Sequence, residues 1–503
     1  MSLLEKATLI TTPTAHSNGT LHSIKGGAVA DFDVVRGSAA TRVNAEGLIE
    51  DISILSEQIT NGNFSNGSTD WNLENNWTIG NNAADGNGAV GSSGEIYQFN
   101  TFTSGRAYKV TYDILNYVSG SIQFQLAGGS TLSGTTRSAN GTYTEYVVAT
   151  ANHTLIKFKS GTAFNASITN ISVVETIDAT NIPRIDYTTG EGVVLLEPQS
   201  TNLIPYSEDF RNSAWAKTRC TIDSGGHTSP SGESNAFKMT ATDNDARLQD
   251  GTNPTGVIYT QSIYVKSATG SDVSGQVDFS GTQIVTFTAT DQWQRVTTTS
   301  DNTRVGRVRI RITNSGDELL IWGAQVEALP YATSYIPTSG AIATRLADAV
   351  TGAGDATTFN STEGVLYFEG SAIADSGDKR VISLSDGTQN NSIRIYFFET
   401  SNSIALVIKK AGTSSISESH NIGDATDNHK FAAKWSENDV ALWVDGVEVD
   451  TVSLFSTFTP NTLNTLNFSR GNGTTNPFIG KVKALAVFNE ALTDSELECL
   501  TKI

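Results

Sequence analysis

VVLLEPQSTNLIPYSEDF (residues 193–210) and LLIWGAQVEALPYATSYIPTSGAIATRLADAV (residues 319–350) bracket a region of strand-and-turn sequence, and their reading decides the fold. Val193 to Leu196 is a short buried run, halted by Glu197-Pro198 and the polar turn Gln199 to Asn202. Leu319, Leu320, Ile321 and Trp322 stand together as in a fully buried central strand, before Gly323, Pro330 and Pro337 lead out past Tyr331 and Tyr335. A unit that starts and ends on strands is what a jelly-roll needs when its first strand closes against its last.

The 503 residues exceed a single core, and about 150 residues per domain gives roughly three. With 45 glycines, 2 methionines and almost no helical periodicity, the chain reads as all-β. Charged residues are 17% of the total, and 33 basic against 52 acidic side chains leave a net charge of −19. That sign repels phosphate backbones and excludes nucleic-acid binding as a main activity; a neutral glycan is compatible. Cys220 and Cys499, in different domains, make neither a disulfide framework nor a thiolate metal site. The amino terminus lacks the pattern of a signal peptide, and no apolar run approaches the ~20 residues of a membrane helix, so membrane insertion is not expected.

The bracketing phrases, the second including Thr344-Arg345, resemble a recurring module of tailed-bacteriophage virion proteins, particularly tail fibres and minor tail proteins, in which the block is a jelly-roll similar to carbohydrate-binding modules. The amino-terminal phrase ATRVNAEGLIE (40–50) resembles a segment of the same proteins that there lies close to NIPRIDYTTGEGVVLLEPQSTNLI (181–204). Here residues 51–180 separate the two, which marks an insertion. The insert, 57–176, opens ITNGNFSNGSTDW and continues in alternating segments such as AYKVTYDIL, as a small sandwich does. It resembles the galactose-binding-like jelly-rolls of carbohydrate-binding modules, except that Ser65 stands where an acidic residue, often a ligand of structural calcium, is usual. The second jelly-roll, 201–350, has Ser207-Glu208-Asp209-Phe210 in the corresponding place, which makes Glu208 and Asp209 the calcium candidates against the plainer reading of a solvated turn. The repeated NxF and EDF openings form an internal repeat.

From 351 to 503 short strands follow one another at regular spacing. In WSENDVALWVDGVEV, Glu437-Asn438-Asp439 and Asp445-Gly446 are hairpin turns, and Thr493 with Glu496 is a capping box on a closing helix. The hairpin (Leu442 to Val449) and the closing phrase (Phe478 to Leu500) resemble the laminin-G-like, concanavalin A-like lectin/glucanase fold. In that fold calcium sits at rim carboxylates, which implies Asp375 and Asp378, whereas Asp445 is explained by its turn.

Catalytic motifs are missing. Glu369, Asp375, Asp378 and Asp386 do not fall on alternate positions of one strand, as the paired carboxyls of that fold's glucanases do. The six histidines read as solvated loop residues, with no HExxH and no GxSxG. Sugar binding needs a flat aromatic and hydrogen-bonding side chains, for which Trp71, Trp77 and Trp215 are the ligand-binding candidates, while Trp293, Trp322 and Trp443 read as core.

The expectation is therefore an all-β, multidomain chain: two jelly-roll sandwiches followed by a concanavalin A-like/laminin-G-like β-sandwich. Its divisions are an amino-terminal virion-docking segment (1–56), the inserted jelly-roll (57–176), a connecting strand (177–200), the second jelly-roll (201–350) and the terminal domain (351–503). The resemblance implies a non-enzymatic phage virion protein, a tail fibre or other exposed appendage. It would be assembled in the host bacterial cytoplasm, contact other virion proteins and a host-surface glycan, and form homo-oligomers, commonly trimers. A tail-associated polysaccharide depolymerase and an architectural decoration protein without ligand are the alternatives.

Overall fold

Strands dominate because apolar and polar residues alternate along so much of the chain. Ala107–Ile114 shows the pattern in its simplest form, with every second residue buried. The computed structural model describes the chain except residues 1–2, 18, 26, 53, 75–76, 91–93, 162, 177–179, 252–256, 301–306, 376–379, 399–401, 417–418, 453–454 and 472. Two compact units emerge: Ser53–Ala179, and Met1–Ile52 together with Thr180–Ile503.

The Ser53–Ala179 unit, which contains the expected insert, is a sandwich of a six-stranded and a five-stranded antiparallel sheet. The long strands Ala107–Ser119 and Phe164–Thr176 form the middle of one sheet, His153–Ser160 the middle of the other. Tyr108, Tyr112, Phe124, Phe158 and Phe164 fill the space between them.

In the larger unit, the jelly-roll of 201–350 has two five-stranded sheets. Glu318–Glu327 is the central strand of one, buried at nearly every position as its Leu-Leu-Ile-Trp run requires. The closure differs from the expectation. Ser200–Asn202 pairs with Ala343–Arg345, whereas Val193–Leu196 leaves the jelly-roll and pairs with Gly480–Phe488 in the other sandwich. A run buried on both faces finds its place wherever a sheet is covered on both sides, and sequence does not say which sheet.

The terminal sandwich faces a six-stranded sheet with an eleven-stranded one, and the latter is not contiguous in sequence. Strands Ala7–Ser17, Thr20–Lys25 and Phe32–Val35 extend it from Gly480–Phe488 outward, ending on Ala349–Thr351. Leu9, Leu21, Phe32 and Val34 lie in the same core as Leu366, Phe368, Ile395, Phe431 and Trp435. The expected division 1–56 is thus corrected: its residues up to Ile52, too few to bury a core of their own, belong with the terminal part of the chain, and their strands complete a core at its other end. Gly364–Ala372 is buried at all nine positions, because Leu366 and Phe368 face that core while Val365 and Tyr367 face a second layer. The helix Asp494–Thr501 supplies that layer with Leu497, and its Thr493–Glu496 capping box is formed on both sides. The hairpin turns fall where expected, with Asp445 and Gly446 both at positive φ, 50° and 83°, as the tight two-residue turn demands.

Residues 351–503 expressed alone are expected to show no cooperative thermal transition by circular dichroism, since part of their core lies outside them. In the full chain, Phe32→Ala is expected to cost about 3–5 kcal/mol in denaturant unfolding of this sandwich.

Candidate functional site

Where the jelly-roll meets the terminal sandwich, five charged side chains are buried together: Arg36, Arg184, Glu197, Arg345 and Asp348. Arg36 Nη1 donates to Asp348 Oδ1 at 3.0 Å, and Arg184 bridges Asp348 and, at 2.6 Å, Glu197 Oε2. Arg345 Nη1 lies 2.8 Å from the same Glu197 oxygen. Neutral donors complete the shell. Ser334 gives its N–H and hydroxyl to Glu197 at 2.8 and 2.7 Å, and Glu197 N–H donates to Asp348 at 2.9 Å. Burial disfavours the Glu197 charge, but the guanidiniums of Arg345 and Arg184 overcome it and hold the carboxyl down at about 2. Burial likewise opposes the Arg184 charge, and Asp348 and Glu197 reverse it, raising that group above the usual arginine range. Three of the five joint residues, Glu197, Arg345 and Asp348, come from the phrases quoted at the outset.

Beside this joint opens a cavity of about 580 Å³. One wall is aromatic: Trp293, Tyr264 and Tyr335, with Trp322 packed behind at ring-centroid distances of 5.5 Å from Tyr264 and 4.5 Å from Tyr335. Arg295 lies 5.4 Å from the Tyr264 ring and is fixed by Nη1 to Thr333 O (2.6 Å) and Nη2 to Ser262 Oγ (2.8 Å). The hairpin Thr41–Val43/Ile49–Asp51 forms a second wall. Its turn is built by Asn44, whose Oδ1 accepts the N–H groups of Glu46 and Leu48, and by Gly47 at φ 80°. Asp186 fastens the hairpin by accepting Val43 N–H at 3.0 Å, and it also accepts Thr188 N–H at 3.0 Å. Tyr187 and Lys481 line the remaining side.

The lining offers rings, hydrogen-bond donors and cations, and both of its carboxylates are engaged by protein donors. Glu197 is ionised and ion-paired, and Asp186 is occupied by two backbone donors. Burial raises the phenols of Tyr264 and Tyr335, so both stay neutral donors at ordinary pH.

The residues singled out from sequence lie elsewhere. Trp71, Trp77 and Trp215 are only 5, 6 and 2% exposed and belong to sandwich cores, which corrects their assignment as sugar platforms. Trp71 packs on Phe64 at 5.3 Å and Trp215 on Phe210 at 5.1 Å, and each indole N–H donates to a carbonyl of its own opening, Asn61 or Tyr206. The NxF and EDF repeat is thus a repeated core lock. Trp293, read as core, is instead half-buried on the cavity wall. Glu208 accepts from Tyr335 Oη (2.8 Å) and Asn235 Nδ2 (3.0 Å), while exposed Asp209 accepts Arg211 N–H. Asp375 is exposed, and Asp378 lies outside the described residues. Among the described residues no group of three or more His, Cys, Asp or Glu side chains converges as for a metal ion. Nor are all the histidines solvated: His153 and His429 are buried on strands, the latter with Nδ1 2.6 Å from Asp445. No helix among the described residues is long and apolar enough to cross a membrane.

The family model described as the concanavalin A-like lectin/glucanases superfamily matches residues 371–498. No curated protein matches the chain. Among solved structures, the CBM40 module of the Ruminococcus gnavus IT-sialidase bound to α2,3-sialyllactose is 16% identical over 30% of this chain and 93% of that one, with a TM-score of 0.26. Domain 4 of AbnA, a GH43 extracellular arabinanase from Geobacillus stearothermophilus, in complex with arabinotriose, is 14% identical over 34% and 82%, with a TM-score of 0.26. The botulinum neurotoxin serotype G binding domain is 10% identical over 30% and 39%, with a TM-score of 0.24. Likenesses this low transfer no ligand to this chain.

Glu197→Gln is expected to destabilise the protein by about 3 kcal/mol at pH 7, the order of its depressed pKa. Because the folded-state pKa lies below the unfolded one, the wild-type contribution is complete above about pH 4.5 and drains as pH falls towards 2. Urea titrations across that window should show the wild type losing stability more steeply than the variant.

Proposed function

We propose that this chain is a glycan-binding protein whose saccharide site is the cavity beside the ionic joint, and that it serves as an exposed appendage, tail fibre or similar, of a tailed-phage virion. The observation that carries the binding reading is the wall formed by Trp293, Tyr264 and Arg295, where flat apolar faces stand next to fixed donors. A pyranose presents the complementary surface, an apolar C–H face edged by hydroxyls. The match of 371–498 to a superfamily of lectins and glucanases is consistent with it.

Binding is favoured over hydrolysis by the state of the two carboxylates. A glycosidase needs one protonated carboxyl and one free carboxylate across the scissile bond. Glu197, held at about 2 by two guanidiniums, cannot be the acid, and each Asp186 oxygen accepts a backbone N–H that fixes the neighbouring chain. The virion placement, with homotrimeric assembly and contacts to other tail proteins, rests on the resemblance of the 193–210 and 319–350 phrases.

In a titration of the full chain with extracted bacterial surface polysaccharide, saturable quenching of tryptophan fluorescence is expected without shortening of the polymer. Trp293→Ala should weaken that binding at least tenfold while leaving the circular dichroism spectrum unchanged. Shortened polymer would make the protein a depolymerase, and equal binding by the variant would remove the cavity as its site.

A further inference from the structure

The smaller sheet of the terminal sandwich carries a second feature that the cavity does not use. Along Ser392–Phe397, Ile393, Ile395 and Phe397 enter the core, so Ser392, Arg394 and Tyr396 take the other face. Arg394 is 1% exposed, yet the hydrogen bond found for its guanidinium is one from Nη2 to the backbone oxygen of Gln389, at 2.9 Å. Four other buried arginines differ in having a carboxylate: Arg36, Arg184, Arg309 and Arg345 each have a carboxylate oxygen within 3.0 Å, although the Nε of Arg184 and of Arg345 is unpartnered too. Among the described residues no carboxylate pairs with Arg394 or with its neighbour Arg470, and the Nε of each is buried without a partner.

The surroundings add donors rather than a counter-charge. Ser383 stands opposite Arg394 in the ladder, and its hydroxyl binds the turn above, donating to Ser469 O at 2.6 Å and accepting from Gly471 N at 2.9 Å. This turn carries Ser469 and Arg470 over the sheet. The hydroxyls of Ser392 and Ser469 are buried without partners as well, and Lys409 lies opposite Ser392 on the next strand. Burial and then the Arg470 charge lower Arg394 to about 10, the reverse of what a counter-ion does. Charge buried in this way calls for a compensating group, and in a chain of net charge −19 the absence of an acidic partner is a local choice.

We propose that Arg394 and Arg470, with the hydroxyls of Ser392 and Ser469, bind a small oxyanion: the carboxylate or sulfate of an acidic saccharide, or the free inorganic anion. The planar guanidinium fork matches such groups, and the hydroxyls supply the remaining donors. This site is separate from the cavity and stands or falls independently of it.

The test uses the full chain with sodium sulfate against sodium chloride at matched ionic strength, read by thermal shift and titration calorimetry. Saturable sulfate binding is expected by calorimetry, with a rise in Tm larger than the general stabilisation that an excluded salt such as sulfate gives a folded chain. Arg470→Gln, a change at a half-buried turn residue, should abolish the calorimetric binding and leave only the general sulfate stabilisation, while raising Tm in sulfate-free buffer because it removes a like charge. Trp293→Ala should leave the sulfate response intact. Competition by oligogalacturonate or by a sulfated oligosaccharide would identify a saccharide source, and competition by neither would identify the free anion. No saturable sulfate binding by calorimetry, or the same binding retained in Arg470→Gln, overturns the proposal.

Discussion

Three guanidiniums and two carboxylates buried at one point tie together segments of the larger unit that are far apart in sequence. Arg36 comes from the amino-terminal strands, Arg184 and Glu197 from the connection ahead of the jelly-roll, and Arg345 and Asp348 from the connection after it. Each of these segments must be in register for every charge to find its partner. A buried network of this kind is weak support for net stability, since apolar packing could replace it, but losing one member strands the others in a low dielectric. Its effect is to select one arrangement of the segments around it. Of the joint, Glu197 also lines the cavity, as does Ser334, which donates to it, so joint and cavity share a wall.

The terminal sandwich is assembled from distant parts of the sequence for a related reason. Gly480–Phe488 would be an open edge over much of its length without Ala7–Ser17 and Val193–Leu196, which pair with it at different positions. Unpaired edges invite association with other chains, and covering them from the amino terminus removes that exposure. The insertion enters after Ile52 and returns at Thr180, and the chain on either side is tied together: Asn181 N–H donates to Arg36 O, and Arg36 N–H to Asn181 Oδ1. A whole sandwich can therefore occupy residues 53–179 without disturbing the strand pairing on either side of it.

Local signals were legible in the sequence and long-range ones were not. The Asp445-Gly446 turn, the Thr493 capping box and the central Leu319–Trp322 strand each depend on a few neighbouring residues, and all are present. The family model begins at residue 371, so neither it nor the local pattern includes the strands at 7–35 that finish the domain. The tryptophans show the limit most clearly. Trp71 and Trp215 lie in polar, loop-like openings yet point inward to Phe64 and Phe210, whereas Trp293, on the approach to a strand, stays half-buried on the cavity wall. Which side of a loop a ring occupies is set by tertiary packing. The Glu197, Arg345 and Asp348 positions were visible as an unusual phrase, but their role as a joint required the partners Arg36 and Arg184 brought from elsewhere.

The most direct test of the central claim, a saccharide held in the cavity beside the joint, is hydrogen–deuterium exchange of the full chain with and without fragments of bacterial surface polysaccharide. The account requires slower exchange in the segments 41–51, 186–188 and 293–295, which line the cavity from three separate parts of the sequence. Protection confined to other segments, or binding with no protection in these, would contradict it.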